Sequence, residues 1–255
     1  MLAMLLPDSL APSTALLLVL LAGVTSFISA AFGSGGGTLL LAVMALVMPI
    51  QAIIPVHGLV QVGSNASRSL MMWRHIHWPT LWYFVPGALL GTLFAAYFLV
   101  MLPTTVLQFS IAVFVLYLCW GPPLPSKALN NTGTVVAAGA TTFLGYFVGA
   151  SGPLVAAFIK QKFAGDRATT VGTFATTMVV QHGPKALVFG IAGFVFKEWL
   201  ALVVLMIAAG AVGTKLGLLR LFTLSERRFS FYFNLVLSLI AVRLLWQALP
   251  GLWPT

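Results

Sequence analysis

His57, Gln61 and Asn65 recur at i, i+4 and i+8, which puts an imidazole and two carboxamides on one face of a helix. Arg68 closes this series, one turn beyond Asn65. A second series, Thr173, Thr177 and Gln181, has the same spacing and is followed by His182 and Lys185. Together these residues offer hydrogen-bond donors and fixed positive charge, which is what holding an oxyanion requires; a guanidinium can grip two of its oxygens at once. Two small-residue breaks accompany the two series: Gly33, Ser34, Gly35, Gly36 and Gly37, and then Gly149, Ala150, Ser151 and Gly152. Glycine removes the side chain and permits positive φ. Backbone N–H groups and helix N-termini can then be aimed at an anion, with Ser34 and Ser151 adding hydroxyl donors.

Other chemistries lack their residues. The only acids are Asp8, Asp166, Glu198 and Glu226, all at segment ends or in loops. No apolar segment therefore carries a carboxylate for a hard cation, a sodium ion or a proton. If a proton is carried, His57 and His182 are the available carriers. His75 and His77 in "WRHIHWP" (73–79) read as part of an aromatic and basic membrane-interface cluster rather than as metal ligands. Gly-x-Ser-x-Gly, His-Glu-x-x-His and Walker patterns are missing, and a single cysteine, Cys119, rules out a disulfide framework within the chain. The expectation is a non-enzyme with no cofactor and no metal.

The elements that must position these groups are membrane helices. Of 255 residues, 60% are hydrophobic and 7% charged, with mean hydropathy +1.04; a soluble chain carries about a quarter charged residues. Apolar runs of roughly 20 residues, the spanning length, recur throughout, so residues 1–255 read as one transmembrane domain. The net charge of +9 comes from Lys and Arg scattered at segment ends, which points to membrane orientation and away from nucleic acid. Residues 14–31 lack a preceding positive region and read as an uncleaved first helix.

The chain is written twice. At a constant offset of 116 residues, Ala22, Gly23, Thr25, Phe27, Gly33 and Gly36 meet Ala138, Gly139, Thr141, Phe143, Gly149 and Gly152, and Ser26 meets Thr142. Further on, Gly91-Thr92 corresponds to Gly213-Thr214. This predicts repeat one over about 10–120, a linker at 121–132 and repeat two over about 133–250. Each repeat reads as five helical pieces: 13–32, 37–48, 51–73, 79–101 and 104–120, then 133–148, 152–164, 167–193, 197–221 and 229–249. The second piece of each repeat is too short for an ordinary span and reads as a re-entrant or tilted segment. Pro184 predicts a kink. An odd number of crossings per repeat inverts the second copy relative to the first. With the N-terminus outside, nearly all Lys and Arg at segment ends face the cytoplasm, Lys197 excepted, as the positive-inside rule requires. Inverted repeats with broken helices are a plan of secondary transporters.

The glycine-rich break after the first helix, its repetition and the chain length resemble the TauE/SafE family, the sulfite exporter family of membrane permeases. The resemblance implies transport of small anions, chiefly oxidised sulfur species such as sulfite, sulfate-like oxyanions and organosulfonates of the sulfoacetate type, with export as the expected direction. The expectations are thus an all-α integral membrane fold of two inverted repeats whose Gly-rich breaks meet near mid-membrane, located in a bacterial-type cytoplasmic (inner) membrane. The partners are a small anionic substrate and the lipid bilayer. A permease for another anion (sulfate or carboxylate), or a non-transporting membrane partner subunit, is the alternative. Nothing in the sequence sets the number of subunits.

Overall fold

The structure is a computed structural model that describes residues 7, 10–98, 104–121, 130–149, 151–223 and 226–248. Among these residues there are helices and connecting turns but no strand. The order is α1 (Pro12–Phe32), α2 (Gly36–Val47), α3 (Ile50–Met71), α4 (Trp78–Phe98), α5 (Thr104–Trp120), α6 (Asn131–Val148), α7 (Gly152–Lys162), α8 (Arg167–Ile191), α9 (Leu200–Leu218) and α10 (Glu226–Ala248). A short 3-10 turn precedes α4 at Trp73–His75 and another precedes α9 at Phe196–Trp199. The ten predicted pieces correspond to these ten helices, with ends shifted by a few residues. α6 begins at Asn131, inside the predicted linker, because the Asn130 side chain accepts the Gly133 N–H at 2.7 Å and caps the helix. Asp8, Lys127 with the linker residues 122–129, and Ala150 lie outside the described residues.

The helices have their apolar faces outward. On α1, Leu16, Leu20 and Val24 are exposed at i, i+4 and i+8; Trp82 and Tyr97 on α4 and Val204 and Val212 on α9 behave likewise. Pro12–Phe32, Trp78–Phe98 and Phe196–Leu218 are each long and apolar enough to cross a membrane. The interior combines an apolar core with polar residues: Ser26, Ser64, Asn65, Arg68, Thr142, Gln181 and Lys185 are all buried. That is the order expected where hydrocarbon replaces water as solvent.

Packing is by close approach. α1 lies against α9, α4 against α6, α3 against α8 and α5 against α10. At the α1–α9 crossing a Cβ added to Gly23 would come within 3.3 Å of the Ala209 carbonyl oxygen, and one on Gly213 would overlap the Gly23 carbonyl. At the α6–α4 crossing a Cβ on Gly139 would come within 3.2 Å of the Gly87 carbonyl oxygen, and one on Gly91 would overlap the Gly139 carbonyl. Such small-residue contacts are how membrane helices gain dispersion energy without a hydrophobic drive between them. α5 and α10 are tied by two polar links, Trp120 Nε1 to Ser238 Oγ at 2.8 Å and Asn234 Nδ2 to the Cys119 carbonyl at 2.9 Å.

α8 continues through Pro184 and α3 through Pro55. Each proline removes one backbone donor from its helix, and these are the two helices that carry the polar series.

Candidate functional site

α2 and α7 are the two short helices, and each begins at a glycine-rich break. Gly33 and Gly35 adopt φ of +91° and +103°, and Gly149 adopts +80°, values that only glycine reaches without strain. The breaks end α1 and α6 and let the chain restart in a new direction. Gly36 packs so tightly that a Cβ there would overlap the Thr25 carbonyl of α1. Neither short helix is capped by its N-cap residue: Gly35 has no side chain, and the Ser151 hydroxyl is engaged elsewhere. By contrast, α6 and α8 are capped by Asn130 and Asp166. The Thr169 backbone N–H holds the Asp166 carboxyl below the usual carboxylate range.

The first turns of α2 and α7 meet at one small cavity. Its lining includes Gly35, Gly37 and Thr38 from α2 and its break, Gly152 and Pro153 from α7, His57, Gln61 and Asn65 from α3, and Phe174, Met178 and His182 from α8; Ser29 of α1 completes it. The cavity has about 20 Å³ open to water-sized guests, room for about one water molecule. Three buried side-chain atoms without a hydrogen-bond partner belong to residues that line it: Thr38 Oγ1, His57 Nδ1 and His182 Nδ1. Orphaned polar atoms are rare in protein interiors, and three of them belong to residues around this one space.

The polar series divides by position. On α3, His57 Nε2 bonds the Gly37 carbonyl at 2.9 Å. Asn65 Nδ2 donates to the Gln61 carbonyl and to Gln61 Oε1, and Arg68 Nη1 donates to Asn65 Oδ1 at 3.2 Å. Arg68 is thus buried and held by its own helix, with its Nε unpartnered. On α8, Gln181 is the centre of a network: Oε1 accepts from Ser151 Oγ at 2.8 Å, and Nε2 donates to Thr141 and Thr142. A simpler link joins α1 to α3, Ser26 Oγ to Ser64 Oγ at 2.8 Å. Lys185 is fully buried, and its ammonium donates to the Gly145 carbonyl at 2.6 Å, 5.6 Å from the Tyr146 ring centre. Its stem passes Gly58, where an added Cβ would stand 3.3 Å from Cδ. The cation therefore sits at the C-terminal end of α6, where a helix dipole favours it.

Other predicted residues lie apart from the cavity. Thr173 Oγ1 accepts the His77 N–H, and Thr177 Oγ1 bonds back to the Phe174 carbonyl. Gly33 lines a different cleft, of about 180 Å³, with Lys160, Asp166, Arg167 and Thr170. Ser34 and Gly149 do not line the cavity, and Gly36 sits just behind it against α1. Sequence reasoning missed Ser29, Thr38, Pro153, Phe174 and Met178 in the wall, and Gly58 and Gly145 around Lys185. Thr141 and Thr142, which bind Gln181, had a signal: both lie in the repeated window opposite Thr25 and Ser26.

The family model for sulfite exporter TauE/SafE matches residues 16–244. The chain belongs to the TauE/SafE sulfite exporter family. The match takes in every residue that lines the cavity. Comparison with individual curated proteins and with solved structures finds no match. TauE/SafE is a transporter family rather than an enzyme family, and membership identifies this chain as an integral membrane protein of the sulfite and anion exporter kind. Among the described residues of this TauE/SafE protein, no group of three or more His, Cys, Asp or Glu could hold a metal ion.

Proposed function

We propose that this protein exports small sulfur-containing anions, sulfite or organosulfonates of the sulfoacetate type, by alternating access around the cavity between α2 and α7. One observation carries the reading: two uncapped helix N-termini and three orphaned buried polar atoms converge on a single space in a sulfite exporter family. Helix N-termini favour negative charge. Gln61 adds an amide donor, and Arg68 and Lys185 supply positive field, because helices α1 to α9 contain no Asp or Glu. The space for about one water belongs to a closed state, so an anion requires the helices to part.

The same reading makes the two halves inverted repeats in an inner membrane, with the N-terminus outside. Exchange of the halves turns the α1–α9 crossing into the α6–α4 crossing, and the same glycine contacts recur in both. That pattern supports the pseudo-two-fold arrangement. Lys160 and Arg167 gather at one end of the bundle beside Gly33, which supports a single cytoplasmic face.

The test is reconstitution into liposomes loaded with radiolabelled sulfite. Protein-dependent efflux, inhibited by sulfoacetate more strongly than by sulfate or a simple carboxylate, is the expected result. Efflux equal to that of empty liposomes overturns the reading.

A further inference from the structure

We infer that anion binding in this cavity is coupled to uptake of a proton by the His57–His182 pair. The inference rests on the reading above and adds how the site balances its charge. His57 is on α3 and His182 on α8, and their rings meet edge to face with centroids 5.8 Å apart. Both are buried, at 1% and 3% exposure, and both line the cavity. The Gly37 carbonyl can only accept, so His57 Nε2 carries the hydrogen of their 2.9 Å bond. The neutral His57 ring therefore presents a bare Nδ1 acceptor, which has no partner. His182 Nδ1 is likewise buried and unpartnered. Two histidines thus line one space, each with an unpartnered Nδ1, and that of His57 is an acceptor without a donor.

The surroundings determine when that donor arrives. The charged groups nearest the pair are cations: Lys185, one turn beyond His182 on α8, and Arg68, further along α3. α1 and α2 carry no titratable side chain, α6 contributes Tyr146, and on α7 Lys160 and Lys162 are at the end away from the cavity. α1 to α9 hold no carboxylate. A positive charge on either ring would stand with nothing to balance it, and an anion in the cavity supplies the balance. The proton comes from bulk water and is received by an Nδ1 lone pair; no covalent bond to the anion forms. Two adjacent imidazolium rings would repel, so the pair takes roughly one proton per anion.

Methanesulfonate is the probe, because its own charge does not change near neutral pH. Calorimetric titration of the detergent-solubilised full-length protein, in two buffers of different ionisation enthalpy, reads the protons taken up. Roughly one proton per bound methanesulfonate is expected, with Kd weakening by up to about tenfold per pH unit as the pair loses its proton. His57→Gln and His182→Gln, each checked for wild-type thermal unfolding, should bind more weakly and take up no proton. Binding without proton uptake in the wild type overturns the inference, as does undiminished uptake in both variants. Failure to bind methanesulfonate in a protein that passes the sulfite-flux assay overturns this coupling alone. Failure of both assays overturns the functional reading beneath it.

Discussion

The two glycine-rich breaks occupy matching positions and reach the same result by different means. The first uses missing side chains. Two of its glycines have positive φ, Gly36 touches the α1 backbone, and Gly37 leaves only 3.1 Å between an added Cβ and the Gln61 amide. The second has one positive-φ glycine among its described residues, and it is held by a bond, Ser151 to Gln181. At Gly152 an added Cβ would meet its nearest neighbours, Met178 Sδ and Phe174 Cζ, at 3.7 Å, an ordinary contact. The cores differ too. α2 is embedded with α1, α3, α5, α9 and α10, whereas α7 packs in a smaller cluster with α4, α6 and α8. Two similar backbone breaks can therefore be held differently, one by packing and the other by hydrogen bonding.

The sharpest way to break this comparison is at its glycines. Gly36→Ala should be the most damaging change, because its Cβ would overlap a backbone carbonyl rather than a flexible side chain. Overpacking of this kind costs about 1–3 kcal/mol or more, so the expected outcome is a marked loss of folded protein in thermal unfolding in detergent. A wild-type melting curve would mean that α1 and α2 can separate freely.

Charge comes next. Lys185→Gln removes the one fully buried ammonium among the described residues while leaving the Gly145 carbonyl its bond from the Gly149 N–H at 3.2 Å. Stability should stay near wild type, and anion affinity should fall roughly tenfold, about 1.4 kcal/mol. Lys185→Arg should restore part of it. Unchanged sulfite efflux from Lys185→Gln would reduce this lysine to a helix-end anchor for α6.

Ser151→Ala should cost about 1 kcal/mol in unfolding free energy, since it strips Gln181 Oε1 of its donor in a buried network. Ser34→Ala, in the first break and half-buried, should fall within about 0.5 kcal/mol. Equal effects would erase the distinction between a bonded break and a packed one. Gly152→Ala should be the mildest, within about 0.5 kcal/mol in stability, so any loss of efflux reads the cavity directly. A collapse as severe as that of Gly36→Ala would show that the two breaks are packed alike.

Much of this was legible in the residues. Hydropathy sets ten helices because each apolar run must satisfy its backbone internally in lipid. Glycine clusters mark the turns after α1 and α6, since few other residues tolerate their geometry. The i, i+4, i+8 series places polar groups on one face by helix periodicity alone. Each of these properties is local, or repeats at a fixed distance along the chain, and so it can be read from one sequence.

Which of these residues share the cavity is visible only in three dimensions. Periodicity treats His57 and Thr173 alike, yet His57 lines the cavity while Thr173 bonds the turn before α4. Gly33 and Gly35 are two residues apart and face different spaces. Lys185 finds its carbonyl 40 residues away, at the end of α6, by way of a gap left at Gly58. Burial, orphaned nitrogens and the meeting of two helix N-termini depend on which helices touch. Those contacts arise from close packing between segments distant in the chain, a property that no window of sequence contains.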